Sequence, residues 1–201
     1  MRPDEITSYQ DILDPKWKGK IVLSDPTTTG SGSSWAWLAA LIKGQDYIRN
    51  LVKQEPVITR DSRLLSEWLA KDKYYIGLGI DSGATKSFID AGAHLYLVPS
   101  FKEGSELRGS SGHVSIINRA AHPKAAKVFL NWILSKEGQT MYSKANGVAS
   151  RRIDVPTSHL ESWQIPDPKV SYISRETESA LQEELKMLEI FKEIFAPLLK
   201  Q

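Results

Sequence analysis

Between residues 20 and 98, short apolar runs alternate with helical stretches, and this alternation constrains the fold more than any other feature of the chain. Residues 20–23 (KIVL) form an apolar run bounded by Ser24-Asp25-Pro26, which reads as a buried strand ending in a turn. A loop of small hydroxyl residues and glycines follows over 27–34 (TTTGSGSS). It runs into an apolar stretch over 35–42, a short buried helix closed by Gly44. Tyr47, Ile48, Leu51 and Val52 mark a second helix, and residues 56–59 (PVIT) a second strand. Asp61 or Ser62 caps a helix whose apolar face is Leu64, Leu65, Trp68 and Leu69. Residues 74–80 (YYIGLGI) predict a third strand, Asp81-Ser82-Gly83 opens a helix carrying Phe88 and Ile89, and residues 94–98 (HLYLV) predict a fourth strand. Strands and helices alternating at these lengths indicate an α/β fold.

The polar, glycine-rich stretch 99–112 reads as a boundary or hinge, and residues 114–117 (VSII) as one more strand. Pro123 opens a helix with Ala126, Phe129, Leu130 and Ile133 on one face, and Ser135 caps a following helix that ends at Asn146-Gly147. Residues 151–175 read as irregular, with Pro156, Pro166 and Pro168. Residues 176–199 predict a closing amphipathic helix with Leu181, Leu185, Leu188, Phe191, Phe195 and Leu198 along its apolar face. Its polar face mixes Glu183, Glu184, Lys186, Glu189, Lys192 and Glu193, the pattern of a packing helix and not of a lipid-binding one. The expected division is an α/β domain over 1–112, a crossover strand and helices over 113–150, and a return segment over 151–201.

Several function classes drop out. Lys and Arg number 26 against 24 Asp and Glu, so no basic surplus supports nucleic-acid binding. The absence of cysteine removes disulfides, thiolate metal sites and cysteine nucleophiles. No apolar run reaches the roughly 18 residues of a membrane span, and the first eleven residues carry no apolar core of a signal peptide. The nucleophile-elbow, zinc-protease and phosphate-loop motifs are absent, and Gly83-Ala84-Thr85-Lys86-Ser87 lacks the upstream glycine a phosphate loop needs. His94, His113, His122 and His159 have no metal-ligand spacing, and Tyr74-Tyr75 begins a strand where aromatic residues pack. No catalytic set, metal site or cofactor site is expected.

The 27–34 loop carries the binding reading. A helix start exposes unpaired N–H groups and a partial positive charge, glycines admit close backbone approach, and hydroxyls add donors. Thr28, Thr29, Gly30, Ser31, Gly32 and Ser33 are therefore candidate ligand-binding residues, with Asp81 and Ser82 at a second helix start. An ordinary capping loop is the alternative for each, since Asp and Ser are preferred N-caps. Ser31 and Ser33 are expected to serve a ligand more than stability. If the strands are parallel, both loops lie on one sheet edge, where open α/β sheets bind ligands.

Three segments, 11–21 (DILDPKWKGKI), 24–32 (SDPTTTGSG) and 121–139 (AHPKAAKVFLNWILSKEGQ), closely resemble extracellular solute-binding proteins of bacterial ABC importers, in the iron(III)-type or family 1 group. The resemblance covers residues 9–155. It implies a type 2 periplasmic-binding fold, with two α/β lobes (mixed sheets flanked by helices) that clamp a solute by hinge closure. It also implies permease subunits as partners, a periplasmic or cell-surface location, and no turnover. Iron-binding members carry a tyrosine pair just after the strand matching 76–80, where this chain has Ser82-Gly83. An oxyanion-bearing organic solute, such as a phosphate ester, phosphonate or carboxylate, therefore fits better than ferric iron. Family members have most of a first lobe ahead of the position of Tyr9, so the chain is expected to match the C-terminal part. A swapped or homodimeric assembly is one way to complete it. A second reading, of a different class, is an interaction or regulatory module that keeps the lobe without transport.

Overall fold

The computed structural model describes residues 5–98, 100–106, 114–160, 165, 169–170, 172–173 and 177–199, with backbone only at Ser82. Pro99, residues 107–112, His113, Pro166, Pro168 and Glu176 lie outside the described residues. Contacts group the chain into two units, Met1–Glu106 with Ser171–Gln201, and Leu107–Val170.

In the first unit the three leading apolar runs form β1 (Ile21–Ser24), β2 (Val57–Thr59) and β3 (Ile76–Leu78). They pair in the order β2-β1-β3, and both ladders are parallel. Between them lie α1 (Ser31–Lys43), α2 (Gln45–Val52), α3 (Ser62–Ala70) and α4 (Ser82–Asp90), the last following β3. Side chains alternate across the central strand. Ile21 and Leu23 join the main core with residues of α1 and α2, whereas Val22 packs on Leu65 and Leu69 of α3. The β1–β2 and β2–β3 crossovers thus cover opposite faces of the sheet, as right-handed connections running in opposite directions from one another require. Parallel strands also put all three carboxyl ends, and the starts of α1, α3 and α4, along one edge.

Local chemistry explains the helix ends. Asp61 accepts from the N–H groups of Arg63 and Leu64, and Asp81 from that of Ala84 at 3.0 Å. Gly44 closes α1 at φ +81°, a conformation that glycine adopts without strain. The main core is completed from both ends of the chain. Two 3₁₀ turns, Gln10–Leu13 and Pro15–Trp17, insert Tyr9, Ile12 and Trp17 beside Tyr47, whose hydroxyl donates to Tyr9 O at 2.8 Å. Burial pushes both tyrosine hydroxyls far above their ordinary pKa.

The second unit holds α5 (Pro123–Ile133) and α6 (Lys136–Asn146), and the chain closes in the first unit with α7 (Glu178–Leu199). Pro123 at the first turn of α5, the Ser135 cap on Gly138 N–H and the left-handed Gly147 match expectation.

Several expectations are corrected. Residues 94–98 and 114–117 form no strand, because neither run finds a ladder partner among the described residues. Leu95 instead packs against the α3 cluster, while Ile117 is 77% exposed. Two strands arise where the sequence reads as loop: β4 (Ser105–Glu106) pairs in parallel with β5 (Tyr172–Ile173). The rotation of α7 also differs. Ala180, Glu184, Phe191 and Phe195 face inward, and Leu181 and Leu185 are half exposed, so Glu184 belongs to the buried face and not to the polar one.

Phe191 and Phe195 are fully buried, so truncating either to Ala is expected to cost about 3–5 kcal/mol in denaturant unfolding. Leu185→Ala on the outer face should cost under about 1 kcal/mol, and equal losses would contradict this rotation of α7.

Candidate functional site

The carboxyl edge of the three-stranded sheet is assembled by a close backbone approach. A Cβ on Gly32 would lie 2.1 Å from Ser24 O and 2.5 Å from Asp25 O, so α1 starts directly against the end of β1. A Cβ on Gly79 would lie 2.8 Å from Gly32 Cα, and Gly79 itself sits at φ +63°. The loops after β1 and β3, picked out separately from sequence, therefore touch at Gly32 and Gly79. β1 and β3 are also the neighbours whose outgoing helices lie on opposite faces, since α4 is joined to α3 through the Ser66 and Thr85 hydroxyls at 3.1 Å, and open α/β sheets leave a crevice at such a position.

The candidate residues divide by role. Thr28, Thr29 and Gly30 are exposed. Ser31 is half-buried, and its Oγ donates to Ser24 Oγ at 3.3 Å. Gly32 and Ser33 are buried. Ser33 Oγ accepts from Gly30 N–H (3.1 Å), and its own proton faces both Gly30 O (3.0 Å) and Glu184 Oε1 (3.3 Å). Ser33 is thus engaged in the fold's own cap, whereas Ser31 lies nearer the open edge. Asp81 is exposed and spends one carboxylate oxygen on Ala84 N–H, and Ser82 begins α4 at backbone level.

Charge is unequal among the three helix starts. Asp61 and Asp81 complement α3 and α4. α1 has a glycine N-cap and no acidic residue in its first turn, and the carboxylate that reaches that turn is Glu184 of α7.

Three residues of this edge escaped the sequence reading. Asp25, taken there as part of a turn, is buried, and Oδ1 accepts from Thr27 N–H (2.8 Å) and Oγ1–H (2.6 Å). Its Oδ2 accepts from Arg60 Nε at 2.7 Å, while the Arg60 side chain is 73% exposed. A cation directly after the second strand is the signal that could have found Arg60. The third is Glu184, whose Oε1 accepts from Ser34 Oγ at 3.1 Å across 150 residues of sequence. Nothing local in a mixed Glu/Lys helix marks that carboxylate as buried.

Burial acts to raise the Asp25 pKa, but the Thr27 hydroxyl, the Arg60 guanidinium and the Thr27 N–H outweigh it, and the carboxyl titrates below its ordinary range.

Other features do not compete. Ser143 Oγ lies 2.8 Å from His159 Nε2, but it is buried and donates its proton to Val148 O at 2.5 Å. The serine proton is thus committed to a carbonyl of the same segment. An apolar hollow of about 280 Å³ lies between α1 and α7, lined by Trp37, Ala40, Leu41 and Met187, on the helix layer and not at the strand ends. Among the described residues, no cluster of three His, Asp or Glu could hold a metal ion, and no helix is long and apolar enough to cross a membrane.

Comparison with known proteins gives concordant likenesses. Residues 1–147 match the family model described as bacterial extracellular solute-binding protein. An uncharacterized protein of Haemophilus influenzae is 32% identical over 142 residues, which is 66% of this chain and 38% of that protein. The periplasmic binding protein AfuA of Actinobacillus pleuropneumoniae, solved with exogenous fructose-6-phosphate bound, superposes with a TM-score of 0.67 at 25% identity. That match covers 93% of this chain and 59% of AfuA. Trichodesmium IdiA (FutA), solved with iron and citrate, shares the fold at a TM-score of 0.57 and 18% identity, over 98% of this chain and 64% of that one. The chain spans less than two thirds of each of these relatives.

Two outcomes test the geometry. Gly32→Ala is expected to cost about 3 kcal/mol in urea unfolding, whereas Gly30→Ala, whose added Cβ meets nothing within 4 Å, should cost under about 1 kcal/mol. The Asp25 carboxylate contributes stability above its unfolded pKa and loses it as pH falls through the lower folded value. The stability gap between wild type and Asp25→Asn should therefore be widest near neutrality and close below about pH 4. A gap constant down to about pH 2 would contradict charge stabilisation at Asp25.

Proposed function

The chain belongs to the bacterial extracellular solute-binding proteins, and from that premise we propose that it binds a small oxyanion-bearing solute at the carboxyl edge of the β2-β1-β3 sheet, without turnover. The single observation that carries this reading is the meeting of the β1–α1 and β3–α4 loops at Gly32 and Gly79. It creates a backbone-lined step at the start of α1, whose N-cap is a glycine where α3 and α4 are capped by Asp61 and Asp81.

In this reading the anionic group sits at the start of α1, within reach of the Ser31 hydroxyl and the Thr28 and Thr29 side chains. Arg60 keeps Nε on Asp25 and offers its terminal N–H groups, a planar donor set suited to phosphate or carboxylate. Asp81 cannot hold an anion, because it is itself a carboxylate. Its free oxygen accepts from hydroxyl groups on the rest of the solute, with Ser82 beside it. A polyol phosphate satisfies both halves, and AfuA with its fructose-6-phosphate supports that class. The ferric reading has less support, since among the described residues no group of three His, Asp or Glu could hold a metal ion.

Delivery to ABC permease subunits, closure of a second lobe over the solute, and a periplasmic or cell-surface location complete the proposal and follow from the family. A swapped or dimeric assembly belongs to the same tier.

Calorimetric titration with fructose 6-phosphate, inorganic phosphate, citrate and fructose tests it. The phosphate ester is expected to bind more tightly than fructose by at least about tenfold, and Ser31→Ala to weaken it by about tenfold with the melting temperature within a few degrees of wild type. Equal binding of fructose and its phosphate, or a Ser31→Ala variant that binds normally, would overturn the oxyanion reading.

A further inference from the structure

α1 opens with Ser-Gly-Ser-Ser, so its first turn contains no charged group and its N-cap is a glycine with no side chain to accept from the turn. A carboxylate from the other end of the chain reaches that turn. Glu184, on α7, is 8% exposed and receives Ser34 Oγ at 3.1 Å and Ser33 Oγ at 3.3 Å. Ser33 is in turn bonded to both the N–H and the C=O of Gly30, the hinge between the 27–29 loop and the helix. A continuous hydrogen-bonded path therefore runs from α7 through Ser33 to Gly30. α7 is seated independently of this path, with Phe191 and Phe195 buried among α1, α2 and the 3₁₀ turns.

We infer that Glu184 is a positioning residue: it fixes the first turn of α1 and the Gly30 hinge, so that the binding edge is set only when α7 is docked. A neutral apolar residue at 184 would leave the two phenylalanines to seat α7 but would remove the oxygen toward which the Ser33 and Ser34 hydroxyls both point. A carboxylate there is suited to the task twice over. It accepts from two hydroxyls with one oxygen, and negative charge is favourable beside a helix start. The inference rests on the ligand edge proposed above, but its first readout needs no ligand.

Native-state hydrogen exchange of the wild-type chain and of Glu184→Ala, Glu184→Gln and Phe191→Leu tests it. Glu184→Ala is expected to speed exchange of amides 34–37 by about tenfold while leaving the β1 amides unchanged. Phe191→Leu should speed exchange across α1, α2 and α7 together, as general loss of packing does. Glu184→Gln, which keeps an acceptor without the charge, should fall between wild type and Glu184→Ala. It carries the test alone if the alanine variant does not fold, with a rise confined to residues 34–37 as the supporting result. Glu184 variants that exchange like wild type, or that reproduce the Phe191→Leu pattern, would overturn the inference. Titration of the same variants with inorganic phosphate separates the two readings. Weakened phosphate binding by Glu184→Ala, together with the local exchange change, supports both. Local exchange change with no phosphate binding by wild type sinks the ligand reading and leaves the positioning role standing.

Discussion

Everything at the carboxyl edge depends on one steric fact: the first turn of α1 lies against the last carbonyls of β1 with no room for a side chain at Gly32. That contact fixes where the helix starts, which amides it presents, and how near the β3 loop can come through Gly79. A methyl group at Gly32 would meet Ser24 O at 2.1 Å and one at Gly79 would meet Gly32 Cα at 2.8 Å, so either would force the backbone to shift. The sheet order β2-β1-β3 supplies the rest, since it puts β1 and β3 side by side with their helices departing to opposite faces.

Polar interactions then hold the edge in shape from beneath. Asp25 joins Thr27, at the entrance to the loop, to Arg60 at the end of the neighbouring strand. Glu184 joins the first turn of α1 to α7. Both carboxylates are buried, and a buried carboxylate is tolerated only where donors surround it. Thr28 and Thr29 are exposed and Ser31 half-buried beside this anchored turn.

The α/β alternation, the three leading strand runs and the caps at Asp61, Asp81 and Ser135 were legible from residue pattern, whereas the shared edge of the two loops depended on a parallel pairing that only the ladders supply. Each legible feature depends on local periodicity or on a short polar side chain next to a helix start, and such signals survive without tertiary context. The misses share the opposite property. Residues 94–98 and 114–117 have strand composition but no ladder, because pairing is a property of the partner as much as of the run. β4 and β5, two residues each, exist only because distant segments meet. Glu184 looked solvated since a helix of mixed Glu and Lys does not reveal which way it is rotated, and the inward face was settled by Phe191 and Phe195. The contacts of Ser33 with Gly30 and Glu184 were likewise beyond the reach of local pattern, since one partner lies 151 residues away.

Amide chemical-shift mapping during titration with inorganic phosphate and small phosphate esters addresses the central claim most directly. Saturable shifts concentrated at residues 28–32, at Arg60 and at 79–84 are the predicted result. Shifts concentrated instead around Trp37, Leu41 and Met187 in the hollow between α1 and α7, or no saturable shift in the first unit, would contradict a binding site at the carboxyl edge of the sheet.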